Sequence, residues 1–397
     1  MKLLFFGDQW DDMWRRRQQI AWRLANRGIF TRILYVELPL TLVSFVKFLL
    51  RTADRDAVKR WKRVLRNRSL LFSPGENLTV VTPVTILPWS FLGTLNRIEV
   101  FLRGLITVRM IKGLLGGISS PVVWVSYPLV PVNLIHWLGP SILWYDDTED
   151  FAGQGVFPEK VNELIRSNLL WYLDNATMVS TTGKERCRLF SGIRGEIHHI
   201  PNGVNVELFR GDCPEPPCDI EKIPEPRIVF VGMLNERLDW DLLRRAALSR
   251  PDWSFILIGP QIQTLKLERR FNDSPNIHMI GVKPYEELPA YLRNCQVGFS
   301  FYLDDPANRS RNPQKAFLYL AAGIPLVSTL PVDGIPKELS RAITYTPTRN
   351  EFVRAVEMYS LNGALIPRET MNIVGWDERV SRITGIMTNV LTLGEGA

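Results

Sequence analysis

The sequence predicts an α/β protein with two Rossmann-like, doubly wound domains that face a central cleft. Apolar runs of strand length alternate with helical patterns over residues 1–206, and the alternation returns over residues 227–374 without repeating the sequence. Such alternation is typical of parallel sheets covered by helices on both faces. Residues 207–226 contain too much proline for a helix or inner strand, which favours a linker. Open α/β sheets bind ligands at the carboxyl ends of their strands, so substrates should meet in the cleft.

The first domain carries six strand-like runs. They are Leu3–Phe6, Arg32–Val36, Val122–Ser126, Ile142–Tyr145, Met178–Thr181 and Ile197–Ile200. Glu159–Asn175 is its longest helical pattern, and a last helical pattern occupies residues 375–397 after the second domain.

The composition is that of a globular protein and argues against several other classes. Of the 397 residues, 46% are hydrophobic and 22% are charged. No stretch approaches the roughly 20 uninterrupted apolar residues that span a bilayer, and the apolar run within Lys2–Phe6 is too short for a signal peptide. The four cysteines show neither metal-ligand nor disulfide spacing. We therefore expect a cytoplasmic protein.

A basic segment over residues 44–68 accounts for the net charge of +7, because it holds nine Lys or Arg but only Asp54 and Asp56. Its apolar residues recur at steps of three and four, which predicts one basic amphipathic helix. Such a helix can lie in the headgroup region of anionic lipid, with Trp61 at the boundary. The residues predicted to contact the membrane are Lys47, Arg51, Lys59, Arg60, Trp61, Lys62 and Arg63.

Two other interpretations of this segment stay open. The apolar stripe could pack on its own domain and leave a solvated basic face. Nucleic acid would also attract the charge, but no recognition module accompanies it, so we expect no nucleic-acid partner.

A helix-to-strand joint in the second domain predicts an anion site. Pro313 suits a first helical position, and Gly323 can adopt the left-handed conformation that ends the helix before a buried strand. The free N–H groups at Asn312 to Lys315 would then face an anionic group such as a diphosphate. Any helix–strand unit of a parallel sheet could look the same.

Several segments, taken in order, resemble one family. The segments are Phe6–Ile20, Trp144–Phe151, Ile200–Phe209, Arg227–Leu243, Trp253–Pro260, Asn276–Leu292 and Asn312–Thr329. Together they resemble the group 1 glycosyl transferases, retaining enzymes of the GT-B fold, and above all those of teichuronic acid or exopolysaccharide synthesis. The resemblance covers nearly the whole chain and implies that the terminal helix crosses back to the first domain.

The resemblance implies a nucleotide diphosphate sugar as donor and no required metal. Arg237 and Lys315 would contact the diphosphate, and Gly232 would allow close backbone approach. Solvated surface charge is the other interpretation of both cations. The remaining residues predicted at the donor are Gly7, Asp8, Gly259 and Asn312.

Four carboxylates follow a buried strand at Asp146, Asp147, Glu149 and Asp150. Mutual repulsion at a site facing the cleft could raise some of their pKa values and produce a base for the acceptor hydroxyl. Glu149 and Asp150 fall nearest the family's acceptor-side catalytic or sugar-binding position. A capping or turn role is open for each acid.

The chain also departs from the family pattern. Ser310 and Leu318 replace two glutamates, the second of which holds the nucleotide ribose, and Met233 replaces a second diphosphate-binding arginine. The sequence therefore predicts a transferase with a lipid-linked or polysaccharide acceptor, at the inner face of the membrane. A catalytically degenerate partner of another transferase is the first alternative, and a sugar-nucleotide epimerase is the second.

Overall fold

The computed structural model describes residues 1–11, 14–85, 109, 111–117, 120–153, 157–262, 266–346, 348–362, 366 and 368–394. The chain separates into two compact units, Met1–His199 and Ile200–Ala397. Each unit is built on its own largely parallel sheet.

The first unit has an eight-stranded sheet in the order β10-β9-β8-β7-β1-β2-β5-β4. Every pairing in it is parallel except that of β4 with β5. Its strands are β1 (Lys2–Phe6), β2 (Arg32–Val36), β4 (Leu71–Gly75), β5 (Leu78–Val81), β7 (Val122–Val125), β8 (Ile142–Asp147), β9 (Met178–Thr181) and β10 (His198–His199), and β3 (Leu40–Thr41) pairs with β6 (Val84–Thr85) beside it.

Helices pack around this sheet because its central strands are apolar on both faces. Leu3 to Phe6 are fully buried, and the Trp124 and Trp144 rings of adjacent strands stack with centroids 4.5 Å apart. The described helices are α1 (Arg16–Asn26), α2 (Leu42–Leu49), α3 (Arg55–Asn67), α4 (Val132–Leu138), α5 (Glu159–Asn175) and α6 (Lys184–Phe190).

The second unit has a six-stranded parallel sheet in the order β13-β12-β11-β14-β15-β16. Its strands are β11 (Arg227–Val231), β12 (Ser254–Ile258), β13 (Ile277–Gly281), β14 (Val297–Ser300), β15 (Leu326–Ser328) and β16 (Ile343–Tyr345). Its α-helices are α7 (Trp240–Ser249), α8 (Leu267–Arg270), α9 (Leu288–Leu292), α10 (Pro306–Arg309), α11 (Gln314–Ala322), α12 (Arg349–Asn362) and α13 (Trp376–Gly394). Four 3₁₀ turns complete the described elements: Val206–Phe209, Tyr285–Glu287, Lys337–Ala342 and Arg368–Val374.

The strand order places a ligand-binding edge in the second unit. β11 lies between β12 and β14, so the chain leaves β11 and β14 toward opposite sides of the sheet. Loops that diverge at such a switch point leave a crevice at the carboxyl ends of the strands. The loops after β11 and β14 therefore frame the candidate site.

The predicted alternation of strands and helices is confirmed, with the last strand of the first unit shortened to His198–His199. Residues 210–226 form only turns and irregular backbone, as their prolines require. The exact domain boundaries and the path of the terminal helix stay predictions. No helix among the described residues is long and apolar enough to cross a membrane.

The single amphipathic helix predicted over residues 44–68 is wrong. Two helices occupy the segment, because Arg51 takes a left-handed conformation (φ 58°) and Asp54 starts the second helix by accepting from the Ala57 N–H at 2.8 Å. Trp61 is only 6% exposed and packs with Leu40 and Phe45, so it is not available at a lipid boundary. The apolar stripe of α3 instead holds this helix on its own unit.

Candidate active site

Two glycines shape the strand ends of the second unit. Gly232 and Gly259 have φ values of +150° and +144°, a region that disfavours other residues. A Cβ on Gly259 would lie 1.9 Å from the Gly232 carbonyl oxygen, and a Cβ on Gly232 would lie 3.0 Å from the Lys315 Nζ. Glycine is therefore required here to let the two loops and Lys315 approach one another.

Lys315 lies in the first turn of α11 and is 7% exposed. Its Nζ donates to the Tyr302 hydroxyl at 2.9 Å and sits 3.7 Å from the centroid of the Phe230 ring. Among the described residues no carboxylate forms an ion pair with it. Burial lowers the pKa of Lys315, because the charged form loses its hydration. An anion arriving at this strand end would restore that lost stabilisation.

Arg237 lies in the loop after β11, close to the same strand end. Its backbone N–H donates to Asn235 Oδ1 at 3.2 Å, and its carbonyl accepts from the Leu303 N–H at 2.9 Å. The next residue, Leu238, forms a bridge with Tyr302, the residue that contacts Lys315. The structure thus brings Lys315 and the backbone of Arg237 to the segment that follows β14.

The Asn312 side chain is hydrogen-bonded within the second unit, and its contact with the donor stays a prediction. Its Oδ1 accepts from the Asn202 N–H at 2.8 Å, and its Nδ2 donates to the Asp333 carbonyl at 2.6 Å. The amide therefore holds two backbone segments together at the start of α11, which makes positioning of that helix its evident contribution.

Two of the three departures from the family pattern, Leu318 and Ser310, are buried. Leu318 is 5% exposed within α11, and Ser310 donates to the Ala307 carbonyl at 2.9 Å. Met233, by contrast, is 55% exposed. None of these side chains supplies a carboxylate or a cation at the strand ends of the second unit.

In the first unit, the four predicted acids divide into two kinds. Asp146 accepts from Arg16 at 2.9 and 3.0 Å, and Asp147 forms a bidentate pair with Arg186. Both carboxylates are buried, and burial raises the pKa of Asp147 although the Arg186 guanidinium opposes the shift. These two acids are thus paired with arginines within the sheet edge.

Glu149 and Asp150 are partly exposed and, together with the buried Asp147, line a cavity of about 240 Å³ after β8. The Asp150 side chain is 35% exposed and lies 3.7 Å from Arg186. One of its oxygens also accepts from the Gly153 N–H at 3.0 Å, which is the turn role left open by the sequence. Asp150 therefore closes a turn and faces a cavity at once.

Gly7 and Asp8 are engaged within the first unit. A Cβ on Gly7 would lie 2.1 Å from the Tyr35 hydroxyl, so close ring packing requires glycine there. Asp8 pairs with Arg17 at 2.9 Å and accepts from the Tyr35 hydroxyl at 3.2 Å. Burial and the Asp8 carboxylate raise the pKa of Tyr35, which keeps the donor protonated. The contact of Gly7 and Asp8 with the donor or the acceptor stays a prediction.

Part of the basic segment is likewise internal. Arg60 and Arg63 pair with Glu37 at 3.5 and 2.5 Å, while the Trp61 Nε1 donates to Ser44 at 3.0 Å. The other residues predicted to contact the membrane, Lys47, Arg51, Lys59 and Lys62, are exposed.

Comparison with known proteins identifies the fold of this chain. No protein-family profile matches the chain. Solved structures match it almost end to end: sucrose-phosphate synthase from Thermosynechococcus elongatus has a TM-score of 0.68 at 15% identity and covers 99% of each chain. The chain has the GT-B fold. HepE from Anabaena, solved with UDP and glucose, has a TM-score of 0.64 at 14% identity and covers 98% of this chain and 100% of its own.

Two more similarities agree with the GT-B fold. A UDP-forming trehalose-phosphate synthase from Burkholderia xenovorans has a TM-score of 0.61 at 14% identity over 98% of this chain and 99% of its own. In sequence, "Putative teichuronic acid biosynthesis glycosyltransferase TuaH" of Bacillus subtilis strain 168 is 27% identical over 219 residues, or 52% of this chain. That match spans 54% of the relative, about half its length.

On this GT-B scaffold, sequence reasoning missed the arginines that organise the first unit. Arg16 and Arg17 begin α1 and donate to Asp146 and to the Ser126 carbonyl, while Arg186 reaches Asp147 from α6. The one available signal was the run Arg15–Arg17 soon after the first strand, opposite an acidic cluster. No sequence pattern indicated Tyr302, whose hydroxyl accepts a hydrogen bond from the Lys315 Nζ.

Proposed function

We propose that the protein is a retaining glycosyltransferase that moves a sugar from a nucleotide diphosphate sugar to a lipid-linked or polysaccharide acceptor. The observation that carries this proposal is Lys315, a buried cation at a helix N-terminus with aromatic neighbours and a hydroxyl partner. The names of the similar proteins support it, because they include sugar transferases and a UDP complex.

The chemistry needs a cation at this point. The glycosidic bond to the diphosphate breaks in the transition state, and negative charge then grows on the leaving phosphate. Lys315 and the N–H groups that begin α11 would bind that phosphate, and Arg237 would approach from the loop after β11. We propose that these protein cations suffice without a metal; activity that persists in excess EDTA would support this, and loss restored by Mg²⁺ would contradict it.

On the acceptor side, we propose Asp150, with Glu149 beside it, as the group that binds the acceptor sugar or accepts its hydroxyl proton. Arg186 contacts both Asp147 and Asp150, so it holds the Asp150 carboxylate toward the cavity. A carboxylate that orients a hydroxyl in this way lowers the entropy cost of the attack.

The proposed location is the cytoplasmic face of an anionic membrane. Helix α2 exposes five apolar side chains that share one face, while Phe45 and Phe48 pack inward against Trp61. Lys47 and Arg51 beside this face match an anionic surface. The five apolar side chains, each 46–68% exposed, are Leu42, Val43, Val46, Leu49 and Leu50.

Liposome flotation tests this location. Binding should require anionic lipid, weaken with salt, and fall in the double variant V46S/L49S. The matched control L189S/I193S alters two apolar residues of the same unit that are 58% and 50% exposed, and should float as the wild type does. Equal flotation of both variants, or indifference to lipid charge, would remove the membrane from the proposal.

Release of nucleoside diphosphate tests the transfer itself. With a panel of nucleotide diphosphate sugars, at least one donor should release its nucleotide slowly with water and faster with acceptor. K315A and R237A should abolish release, and the exposed control K337A should not. No release with any donor would contradict the proposal, and conversion of the free sugar nucleotide without release would identify an epimerase.

A second candidate, a catalytically inactive partner of another transferase, is favoured by one observation. Leu318 occupies the ribose position of the family pattern and offers no hydrogen-bond acceptor. Such a protein would never release nucleotide, yet it would change the rate of the transferase that it binds.

A further inference from the structure

A second cavity of the first unit, about 710 Å³ in volume, lies apart from Glu149 and Asp150. One wall is the loop Gln9–Asp11 that follows β1, and the other is helix α3. The lining residues are Gln9, Trp10, Asp11, Asp56, Lys59, Arg60, Lys62, Arg63, Arg66 and Asn67.

The wall formed by α3 is strongly basic. Lys59, Lys62 and Arg66 stand at steps of three and four, so they share one helical face, and all three are exposed where they line the cavity. The lining holds five Lys or Arg against two acids: Asp11, which pairs with Arg15 at 3.1 Å, and Asp56, which accepts from the neutral Gln9 amide at 3.1 Å. The cavity therefore carries a net positive charge.

The base of the cavity is fixed rather than loose. Glu37 accepts from the Trp10 N–H at 2.6 Å and from Arg63 at 2.5 Å, so one buried carboxylate joins both walls. Arg63 also lies over the Phe72 ring at 4.4 Å, and Trp10 packs edge-on against Tyr35 at 5.0 Å. A site with preset walls binds an anion at a smaller entropy cost.

Its position agrees with a substrate site. Gln9 follows β1 and Glu37 follows β2, so the cavity lies at the carboxyl edge of the sheet, where α/β sheets bind ligands. Glu149 and Asp150 follow β8 at the same edge of the same sheet.

We propose that this basic cavity binds the phosphate or diphosphate group of the acceptor. The inference rests on the proposed function, and it names the acceptor class: a glycan or lipid that carries phosphate. Three cations on one helical face suit a multivalent phosphate better than a single carboxylate, since each charge-assisted contact adds to the affinity.

Calorimetric titration with inorganic pyrophosphate, with UDP saturating the Lys315 site, tests the cavity directly. The variant K62Q/R66Q should bind pyrophosphate about tenfold more weakly or worse, since each lost charge-assisted contact removes free energy and 1.4 kcal/mol is a factor of ten. The control R32Q/K160Q removes the same charge at exposed positions outside the cavity, Arg32 being at the amino end of β2, and should bind as the wild type does.

Equal affinity of the two double variants, or no pyrophosphate binding by the wild type, would overturn the inference. If K62Q/R66Q melts early, R66Q alone takes its place. Failure of the proposed function is separate and visible in the same experiment, because UDP and GDP would then bind none of these proteins while pyrophosphate could still bind the cavity.

Two further experiments distinguish a lipid-linked acceptor phosphate from a soluble one. Neutral phosphatidylcholine vesicles that contain a polyprenyl diphosphate should recruit the wild type and not K62Q/R66Q if the acceptor is lipid-linked. Competition for the cavity by a soluble sugar phosphate, with no such recruitment, would assign a soluble acceptor instead. Failure of both probes would overturn the proposed acceptor class.

Discussion

The strand ends of the two units handle buried charge in opposite ways. In the first unit, Asp146 and Asp147 are each matched by a buried arginine, Arg16 and Arg186. In the second unit, the buried Lys315 meets aromatic rings and a hydroxyl. The first edge pairs its buried charges with its own residues, whereas no carboxylate among the described residues pairs with the buried cation of the second. Under the proposed function, that cation serves ligand binding, while the paired charges of the first unit belong to the scaffold.

The largest effect should come from breaking a buried pair of the first unit. R16A leaves Asp146 charged and buried, which should lower the free energy of unfolding by about 3–5 kcal/mol. Urea denaturation of R16A and of the wild type measures this difference in the free energy of unfolding. R166A is the control, because its ion pair with Glu159 at 2.9 Å is exposed and should contribute under about 1 kcal/mol. Similar losses in both variants would mean that burial does not distinguish these pairs.

The opposite result is expected at Lys315. K315M removes a buried charge without orphaning a carboxylate, so the free energy of unfolding without ligand should stay the same or rise. The stabilisation that UDP provides should weaken, with affinity about thirtyfold lower, or ~2 kcal/mol. Thermal melting with and without UDP measures both quantities, and K337M is the exposed control. A destabilised K315M with unchanged UDP affinity would mean that Lys315 has a structural role, and the proposed difference between the two units would be wrong.

The pH dependence of stability and of UDP affinity tests the role of Lys315 further. Burial lowers the pKa of Lys315 below its ordinary value of 10.5, so in the alkaline range below 10.5 the folded protein binds fewer protons here than the unfolded chain. This residue's contribution to stability therefore rises with pH, while UDP affinity falls as the lysine loses its proton. Titration of UDP across alkaline pH should show the fall in the wild type and not in K315R. If UDP affinity fell equally in the wild type and in K315R, the titration of another group would be responsible.

The smallest effect on stability should come from Asp150, a partly exposed carboxylate that lines the cavity after β8. D150N keeps the turn acceptor for Gly153 and should change the free energy of unfolding by less than about 0.5 kcal/mol. Sugar transfer should nevertheless drop while UDP affinity stays constant. Unchanged transfer would reduce Asp150 to its turn role.

Local patterns predicted much of the fold because they act over a few residues. The alternating runs predicted six of the eight strands of the first sheet but not β4 and β5, and Gly323 ends α11 in the left-handed conformation (φ +80°), as its position before a strand indicates. The same patterns predicted one helix over residues 44–68, where two occur. A run of basic residues does not reveal that Arg51 would turn the chain.

The candidate site was predictable only in part. Lys315, Arg237 and Gly232 came from the helix start, the loop after β11 and the resemblance, and the structure brings them to one strand end. Asn312 came from the same segment, yet its amide is held by Asn202. That contact joins residues 110 positions apart, and no local pattern encodes it.

The sequence by itself determined the alternation of strands and helices, the irregular proline-rich segment and the cation that begins α11, since hydrophobic period and the conformations of glycine and proline are local properties. The tertiary structure alone decided which charges are buried in pairs and which line an open cavity. Arg16 finds Asp146 across 130 residues and Trp61 turns inward, while Lys62 and Arg66 stay at an open cavity. Burial and pairing depend on chain segments brought together in space, so a linear pattern of charges does not contain them.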